Sequence, residues 1–418
     1  MKRYLYEDAR WIAERAIAAV KPDEAVRRAL QNVTLTGRVY LVAVGKAAWQ
    51  MASAAVNCLE KPVQKGIVIT KYDHVMGKIP GVVCYEAGHP VPDENSYTAT
   101  QMVLDMTADL REEDTVLFLL SGGGSALFEK PLVDGAVLQE VTQTLLGAGA
   151  GITEINTIRK RLSGVKGGRF AAHCAPARVE SIILSDVLGD PVDMIASGPA
   201  AADSTTAAEA KAIANRYGVD RHPQVRKCLE AETPKSVPNV HTQIIGSVRA
   251  LCREAEKAAG ERDYECIFLS DQLDGEASET GRWLIRELKQ YIGSGRKLAL
   301  IAGGETVVHL KGNGLGGRNQ ELALAAAVAL DGVENAALIS VGSDGTDGPT
   351  DAAGGYADGD TVREMARKGV DAAAFLENND SYHALESVGN LIITGPTGTN
   401  VNDVTIVLLN ERYEGCGA

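Results

Sequence analysis

The sequence is poor in aromatic residues, in paired cysteines and in positive charge. Aromatic residues make up 5% of the 418 residues, against 44 glycines, a balance typical of α/β enzymes with many tight turns. The seven cysteines include no Cys-x-x-Cys pair, which excludes the usual zinc and disulfide frameworks and predicts reduced thiols in a cytoplasmic protein. The net charge of −13 at pH 7 argues against nucleic-acid binding, because that requires a basic surface.

Long apolar runs are also missing. The longest fall far short of a membrane span, so we expect no membrane partner. Residues 1–20 have the pattern of an amphipathic helix, in which the charged residues Arg10, Glu14 and Arg15 alternate with apolar ones. They lack the apolar core and the small-residue cleavage site of a signal peptide.

The length of the chain predicts two or three domains. An alanine-rich helical stretch, followed by a polar loop with Pro234 and Pro238, indicates a transition between domains. We therefore predict an N-terminal domain over residues 1–238 and a C-terminal domain over residues 239–418, with the last strand able to pack back on the first domain. Apolar runs that alternate with helical patterns predict an α/β fold.

The sequence is organised around a glycine turn. Residues Thr115–Leu120 form a short, continuous apolar run, as expected of a strand buried on both faces. The next residues are Ser121-Gly122-Gly123-Gly124-Ser125. Because no Cβ atom blocks the approach, the backbone N–H groups of such a turn can converge on an anion. The alternative is a tight turn between a strand and a helix, without a ligand.

Two other predicted strands also end in polar side chains. Lys46 follows the strand Val39–Val44, at the edge where open α/β sheets bind ligands. Asp186 and Asp190 follow the strand Val179–Leu184, and two carboxylates at this spacing suit a Mg²⁺ site or a general base. The alternatives are a solvated lysine and aspartates that only cap turns.

A basic stretch lies between these strands. Five basic residues occupy eleven positions over residues 159–169 of an acidic protein. Because glycines next to Lys166 would let an anion approach the backbone, we favour an anion site with Arg159 and Lys166 over a basic surface helix. His89 precedes a proline in a stiff connection, where a structural role is more usual than a catalytic one.

The C-terminal half contains a second glycine-rich loop. Strands are predicted at Leu298–Ala302 and Val307–Leu310, and Gly312, Gly314 and Gly317 then match G-x-G-x-x-G before a helix. The acidic residue that a dinucleotide-binding loop requires about 20 positions later is missing.

We therefore interpret this second loop as a mobile anion-binding loop. Gly316 and Gly317 would admit a phosphate, while Arg318 and Asn319 would lie at the start of the following helix.

Two later loops are also polar. Asp344, Asp347 and Asp351 place three carboxylates within eight residues, which indicates a divalent cation near phosphate oxygens. The alternative is a loop of Asx turns. Thr399, Asn400 and Asn402 precede the last predicted strand and offer hydrogen-bond donors to a phosphate, a nucleotide or a carboxylate.

Taken together, these stretches resemble the D-glycerate kinases that join an N-terminal domain of the DUF4147 type to a C-terminal MOFRL domain, also called glycerate 2-kinases. Each motif is weak alone, but their order over residues 40–405 is specific. The matching motifs include Val44-Gly45-Lys46-Ala47, His89-Pro90-Val91-Pro92-Asp93, Leu120-Ser121-Gly122-Gly123-Gly124-Ser125-Ala126-Leu127, Ile155-Asn156, Lys166-Gly167-Gly168, Ser185-Asp186-Val187, Ser197-Gly198-Pro199, Gly303-Gly304-Glu305-Thr306, Gly316-Gly317-Arg318-Asn319-Gln320-Glu321, Asp344-Gly345-Thr346-Asp347-Gly348 and Gly395-Pro396-Thr397-Gly398-Thr399-Asn400.

The resemblance implies a larger Rossmann-like α/β/α sandwich, a smaller α/β domain and an active site in the cleft between them. It implies ATP-dependent phosphorylation of D-glycerate with Mg²⁺ or another divalent cation, giving 2-phosphoglycerate more often than 3-phosphoglycerate. Lys46 and Arg318 correspond to the basic residues proposed for the family's active site. An aspartate of the segment Ser185–Asp190 is also implied, with Asp186 and Asp190 both open.

The residues agree with the needs of phosphoryl transfer, which are cations on the migrating group, a metal and a carboxylate that aligns the attacking hydroxyl. We expect Lys46 and Arg318 to hold the substrate carboxylate and the transferring phosphate, with Arg159 as a further substrate contact. We expect the glycine turn to bind phosphate, and Asp190, Asp344 and Asp347 to support the metal.

Three alternatives stay open: a kinase that forms 3-phosphoglycerate, an NAD(P)H-dependent hydroxypyruvate reductase that uses the Gly312–Gly317 loop, and a non-catalytic sensor of sugar acids or nucleotides. A monomer or a homodimer is expected.

Overall fold

Residues 3–412, which this computed structural model describes, contain twelve β-strands and sixteen α-helices. The strands are Val39–Val44 (β1), Lys65–Lys71 (β2), Val82–Ala87 (β3), Thr115–Leu120 (β4), Arg178–Leu184 (β5), Val240–Gly246 (β6), Glu265–Leu273 (β7), Lys297–Gly304 (β8), Ala336–Gly342 (β9), Gly354–Asp358 (β10), Leu391–Ile392 (β11) and Asp403–Asn410 (β12). The helices are Arg3–Ala19 (α1), Pro22–Leu30 (α2), Ala48–Cys58 (α3), Glu94–Met106 (α4), Gly124–Leu127 (α5), Gly135–Gly147 (α6), Ile152–Leu162 (α7), Arg169–Cys174 (α8), Ala207–Arg216 (α9), Pro223–Glu230 (α10), Val248–Gly260 (α11), Ala277–Lys289 (α12), Arg318–Leu330 (α13), Thr361–Arg367 (α14), Ala372–Glu377 (α15) and Ser381–Val388 (α16).

The chain forms two domains, and one of them is discontinuous in sequence. The first domain comprises Pro22–Ile245, and the second comprises residues 3–21 together with residues 246–412. The predicted α/β class with two domains is confirmed. None of the helices in residues 3–412 combines the length and the apolar composition that crossing a membrane requires.

The sheet of the first domain has the strand order β3-β2-β1-β4-β5-β6. All neighbouring strands from β3 to β5 are parallel. Every residue of β1 and β4 is buried, which explains their continuous apolar sequences, because parallel strands are covered on both faces. The strand order reverses between β1 and β4, so the carboxyl ends of these two strands form the crevice where such sheets bind ligands.

The sheet of the second domain is mixed, with the order β11-β10-β9-β12-β8-β7. β7 and β8 are parallel, whereas β12 pairs antiparallel with both β8 and β9. All eight residues of β12 are buried. The last strand therefore lies in the middle of the second sheet, between β8 and β9.

The domain boundaries differ from the predicted ones. The division falls at Ile245 rather than at residue 238, because β6 is the last strand of the first sheet. Helix α1 belongs to the second domain, where Asp8 accepts hydrogen bonds from Arg262 at 3.0 Å and from the Tyr264 hydroxyl at 2.9 Å.

One predicted strand is absent from the structure, and one strand of the structure was not predicted. The segment predicted at Val307–Leu310 forms only an isolated bridge between Val307 and Glu276, and Leu310 is 78% exposed. Its apolar residues therefore do not reflect a place in the sheet. β10 was missed because its first two residues, Gly354 and Gly355, resemble a turn in sequence.

Candidate active site

The carboxyl ends of β1 and β4 are bonded to each other. The Lys46 amide donates to the Gly122 carbonyl at 2.8 Å, and the Ala47 amide donates to the Ser121 hydroxyl at 3.1 Å. Gly45 has φ +123°, and a Cβ atom there would lie 2.2 Å from Ser121 Oγ, so only glycine fits between the strands. Ser121 thus links the ends of the two strands by a hydrogen bond, and the backbone of Lys46 is held next to the turn.

The glycines of the turn make room for functional side chains. A Cβ atom on Gly122 would lie 2.0 Å from Asp186 Oδ2. A Cβ atom on Gly123 would lie 3.0 Å from the ring of His89 and 3.3 Å from Lys46 Cγ. The structure therefore brings Lys46, Asp186 and His89 together around the turn, although they come from three different strand ends.

The backbone of the turn has unused donors. Among residues 3–412, no hydrogen-bond partner is present for the N–H groups of the four consecutive residues Gly122–Ser125. Gly122, Gly123 and Gly124 carry no Cβ atom, so these donors are open to an anion. This arrangement supports the predicted role of Gly122, Gly123, Gly124 and Ser125 in binding phosphate. Ser121 is buried and its amide donates to the Val44 carbonyl at 2.9 Å, so its assignment to phosphate is corrected to a structural role.

A chain of buried hydroxyl and amide groups lies behind the turn. The hydroxyls of Ser125 and Ser197 are 3.2 Å apart, and Ser197 donates to Asn156 Oδ1 at 2.9 Å. Ala196 and Ser197 have φ values of +49° and +61°, a conformation that costs energy in residues other than glycine and often marks functional sites. We did not assign Ser197 and Asn156 to the site from the sequence, although both belong to motifs of the resemblance.

Two cations near the turn have no partner. Lys46 and Arg159 are both half-buried, and neither side chain forms a hydrogen bond or an ion pair with another residue of the described chain. Burial lowers the pKa of Arg159, and the charge of Glu129 opposes this shift. Burying a charge without a partner is costly, so both side chains are suited to receive an anionic ligand.

Near these cations, the surroundings of His89 favour its neutral form. Its pKa is lowered by burial and then by the charges of Lys46, Lys71 and His74. A neutral imidazole can accept one hydrogen bond and donate another.

Lys166 does not belong to the phosphate site that we predicted for it. Its side chain is fully buried, and its ammonium group donates to Glu129 Oε2 at 2.6 Å and to the Phe128 carbonyl at 2.9 Å. A buried ion pair of this kind is disrupted only at a high cost. Lys166 is therefore a structural residue, and the assignment is corrected.

Asp190 lies in the turn that follows Asp186. It has φ +52°, and its amide donates to the Val187 carbonyl at 3.1 Å. Its carboxylate has no hydrogen-bond partner within residues 3–412. Asp190 thus stays available as a predicted metal ligand or base, while Asp186 is the aspartate that contacts the glycine turn.

In the second domain, Arg318 is oriented by two carboxylates. It donates to Asp403 through Nε at 2.6 Å and Nη2 at 3.1 Å, and to Glu305 through Nη1 at 2.9 Å. Burial alone would lower the pKa of Arg318, but hydrogen bonds and charge from these carboxylates raise it above its ordinary value. Two of the five N–H groups of the guanidinium remain without a partner in the described chain, so Arg318 can still bind an anion.

Asp347 has a structural role rather than the predicted metal-binding role. It is 3% exposed and accepts hydrogen bonds from the amides of Asn319 and Gln320 at 3.1 and 2.9 Å. It thereby occupies the start of α13, where a phosphate would otherwise bind. Asn319 is buried as well, and its Oδ1 accepts from Ser340 at 2.6 Å, so the assignment of Asn319 to a cofactor is corrected.

The glycines just before α13 pack against protein atoms. A Cβ atom on Gly317 would lie 2.3 Å from the Asp347 carboxyl carbon, and one on Gly316 would lie 2.2 Å from Ser381 Oγ. Both positions need glycine for packing, so neither is open to a phosphate as we predicted.

The rest of the Gly312–Gly317 loop is bonded to the segment before α16. The Gly314 amide donates to the Asn378 carbonyl at 2.9 Å, and the Leu315 amide donates to Asp380 Oδ1 at 3.0 Å. A dinucleotide-binding loop needs these amides for the pyrophosphate. The packing therefore argues against the dinucleotide interpretation and against a mobile anion-binding loop.

The remaining polar candidates differ in their availability. Thr399 is buried, and its hydroxyl donates to the Val20 carbonyl at 3.1 Å, so it is not the donor to a nucleotide that we predicted. Asn400 is half-buried and accepts from the Asn402 amide at 3.3 Å, which leaves its side-chain N–H₂ group unused in the described chain.

No group of three or more His, Cys, Asp or Glu side chains within residues 3–412 is placed to hold a metal ion. Mg²⁺ does not need such a cage, because it is usually bound by one or two carboxylates and by substrate phosphates. Asp344 fits this pattern: its Oδ1 accepts from Thr346, whereas its Oδ2 has no hydrogen bond in the described chain. Of the predicted metal ligands, Asp190 in the first domain and Asp344 in the second thus remain suitable, each considered separately.

Two family models match the chain. The model described as domain of unknown function (DUF4147) matches residues 8–230, and the model of the MOFRL family matches residues 298–403. The first match alone covers more than half of the chain.

Full-length relatives are similar along nearly the whole sequence. The chain is 53% identical to the D-glycerate 2-kinase of Thermotoga maritima, over 95% of this chain and 97% of that protein. It is 38% identical to the glycerate 2-kinase of Pyrococcus horikoshii, over 95% of this chain and 96% of that protein. A crystal structure of the glycerate kinase from T. maritima matches with a TM-score of 0.94 and 52% identity, covering 97% of this chain and all of that one.

Proposed function

This chain belongs to the glycerate 2-kinase family, and from that premise we propose that it transfers the γ-phosphoryl group of ATP to the 2-hydroxyl of D-glycerate, giving 2-phosphoglycerate and ADP. The observation that carries the proposal is the anion-binding surface at the carboxyl ends of β1 and β4. There, four free backbone donors lie beside the unpartnered cation Lys46. Phosphoryl transfer depends almost entirely on positioning and on stabilising charge at such donors.

The amides of the turn and the cations bind different parts of the substrates. The amides of Gly122–Ser125 bind phosphate oxygens, because they are oriented in advance and pay no reorganisation cost. Lys46 neutralises the transferring phosphoryl group as its charge develops. Arg159 and Arg318 offer forked N–H groups, which suit a carboxylate or a phosphate.

The acceptor hydroxyl needs a carboxylate to orient it and to receive its proton. Asp186 has this role in our proposal, since it is the carboxylate next to the turn. Asp190 is the alternative. Mg²⁺, when bound, neutralises the phosphate oxygens, and Asp190 and Asp344 are the residues that would hold it. The pairing of Lys46 with Arg318 on one substrate stays a prediction.

We also propose that the protein acts in the cytoplasm as a monomer or a homodimer. The support for a reducing compartment is that the six cysteines among residues 3–412 are all free thiols. Light scattering of the purified protein measures the oligomeric state.

The deciding experiment is ³¹P NMR of the purified protein with D-glycerate, ATP and Mg²⁺. A new phosphomonoester signal coupled to a single proton indicates transfer to the 2-hydroxyl. Coupling to two protons indicates 3-phosphoglycerate and would overturn the regiochemistry. No new signal with D-glycerate, L-glycerate or other small hydroxy acids would refute the kinase proposal, and oxidation of NADH with hydroxypyruvate would then be measured.

A further inference from the structure

A cavity of about 350 Å³ opens in the first domain beside the glycine turn. Pro90 and Val91 form one wall, Leu138 and Thr142 of α6 form another, and Ser125 borders it on the side of the turn. Most of this surface is apolar. The cavity has the size and the character typical of sites for small organic ligands.

Glycerate does not match this cavity. Each of its carbon atoms carries oxygen, so it has no apolar surface to bury against Pro90, Val91 and Leu138. The occupant must be larger and must have an apolar face.

The cavity and the anion-binding turn are continuous. Gly123 and Ser125 line the cavity and also belong to the run of four free backbone donors. A ligand that fills the cavity with a flat apolar group and extends towards the turn would place an anionic group on those donors. A nucleoside triphosphate has both parts in this order.

Polar groups in a small pocket next to the cavity support a nucleobase. This pocket shares Pro92, Ser125 and Arg159 with the cavity and is also lined by Glu129. Glu129 is 3% exposed, and its Oε1 is buried without a hydrogen-bond partner in the described chain. A buried acceptor without a partner is costly, and an N–H group on the edge of a base would satisfy it.

We infer that this cavity is the nucleoside subsite, which holds the base and ribose of ATP while the triphosphate lies on Gly122–Ser125. The inference rests on the proposed function for the identity of the nucleotide. It assigns Arg159 to the nucleotide rather than to glycerate, because Arg159 lines both the cavity and the small pocket next to it.

The test fills the cavity and measures binding without turnover. Thr142→Trp places an indole ring in the cavity, and Thr144→Trp is the matched control, because Thr144 lies on the same helix but does not line the cavity. Gln143→Trp is a second variant. Gln143 also lines the cavity but is exposed, so a larger side chain there does not disturb the core. Calorimetric titrations with ATP and with inorganic tripolyphosphate give the Kd values.

We expect wild type and Thr144→Trp to bind ATP at least tenfold more tightly than tripolyphosphate. Thr142→Trp should lose this difference, with the Kd for tripolyphosphate unchanged and the KM for D-glycerate within twofold of wild type. An unchanged Kd for ATP in both Thr142→Trp and Gln143→Trp, or a rise in the KM for D-glycerate alone, would overturn the subsite. If the cavity variant loses ATP binding but wild type does not phosphorylate D-glycerate, the proposed function fails and the subsite stands.

Discussion

The two glycine-rich loops of this protein have similar sequences and opposite properties. Within residues 3–412, the Ser121–Ser125 turn has four backbone N–H groups without partners and is bordered by Lys46, whose side chain is also unpaired there. The Gly312–Gly317 loop donates its amides to Asn378, Asn379 and Asp380. In the first loop, the glycines leave room for nearby side chains, and the backbone amides stay unbonded. In the second loop, the glycines let a neighbouring segment pack closely, and that segment accepts hydrogen bonds from the backbone amides. An anion site is therefore identified not by the number of glycines but by whether the amide N–H groups of the loop lack hydrogen-bond partners within the protein.

The cations of the two domains differ in the same way. Lys46 and Arg159 of the first domain have no partner in the part of the chain that the structure describes, whereas Arg318 of the second is held by Asp403 and Glu305. The comparison predicts that substitutions at free groups damage activity alone, and that substitutions at paired groups damage stability as well.

Lys46→Met should give the largest loss. We expect kcat/KM to fall by about 10²–10³, the typical cost of removing one stabilising donor from a transition state. The thermal midpoint should not change, since the ammonium group has no contact to lose. Lys65→Met, at the exposed amino end of β2, is the control and should retain full activity. A loss of stability without a loss of turnover would break the comparison.

Arg318→Lys keeps the charge but removes the forked geometry that Asp403 and Glu305 bind. We expect turnover to fall by roughly 10–100-fold, below the loss at Lys46 because the charge remains. Calorimetry should show a lower unfolding temperature, because Asp403 loses its bidentate partner. Arg363→Lys, whose ion pairs are exposed, should be neutral in both assays. If Arg318→Lys changes stability alone, Arg318 is a structural residue.

Alanine at one glycine of each loop tests the two loops directly. In Gly122→Ala the new methyl group would lie 2.0 Å from Asp186 Oδ2 and would displace this carboxylate. Turnover should therefore fall, while stability changes little. In Gly314→Ala the methyl group lies 2.4 Å from Asp380 Cβ and 2.6 Å from the Asn378 carbonyl. We expect this variant to lose about 1–3 kcal/mol of unfolding free energy with kcat unchanged. The reverse outcome, activity lost at Gly314 alone, would transfer the anion site to the second loop.

Asp114→Asn tests the opposite edge of the first sheet. Asp114 precedes β4 and accepts from Arg38 Nε at 2.9 Å and Nη2 at 2.6 Å, and these hydrogen bonds lower its pKa to about 2. A lowered carboxyl pKa stabilises the fold above the unfolded pKa of about 3.9, and this contribution is lost as the pH falls towards 2.

The variant should therefore lose about 1–2 kcal/mol of unfolding free energy at pH 7. The difference from wild type should disappear near pH 2, as measured by denaturant titration at several pH values. kcat should not change at pH 7, because ligands bind at the carboxyl edge. A difference that persists at pH 2 would assign the effect to packing instead.

Local sequence was sufficient for much of the first domain. The strands at Val39–Val44 and Thr115–Leu120 were predicted with the bounds that the structure has, because their apolar runs are continuous and end at glycine turns. The sequence placed Lys46 at the ligand-binding edge of the sheet, and its position beside Asp186 and the turn agrees with the rule that parallel strands share a carboxyl edge.

Pairings between distant residues were not visible in the sequence. Arg318 and Asp403 are 85 positions apart, and Lys166 and Glu129 are 37 positions apart. Nothing near Lys166 indicates that it is buried, so its glycine neighbours suggested an anion site. Asp347 was assigned to a metal for the same reason, since its capped helix begins 29 positions earlier at Arg318. Spacing identifies polar residues, but the tertiary structure decides which of them remain unpaired.

The position of α1 in the second domain has a consequence for synthesis. The apolar face of this helix, with Leu5, Ile12 and Ile17, is buried, and Trp11 stacks under Arg262 at 4.4 Å. Its partners leave the ribosome more than two hundred residues later, after the whole first domain. Because domains fold as units during translation, the first domain can fold before α11 is synthesised. The apolar face of α1 packs against α11, so it stays exposed to water until that later segment has been made.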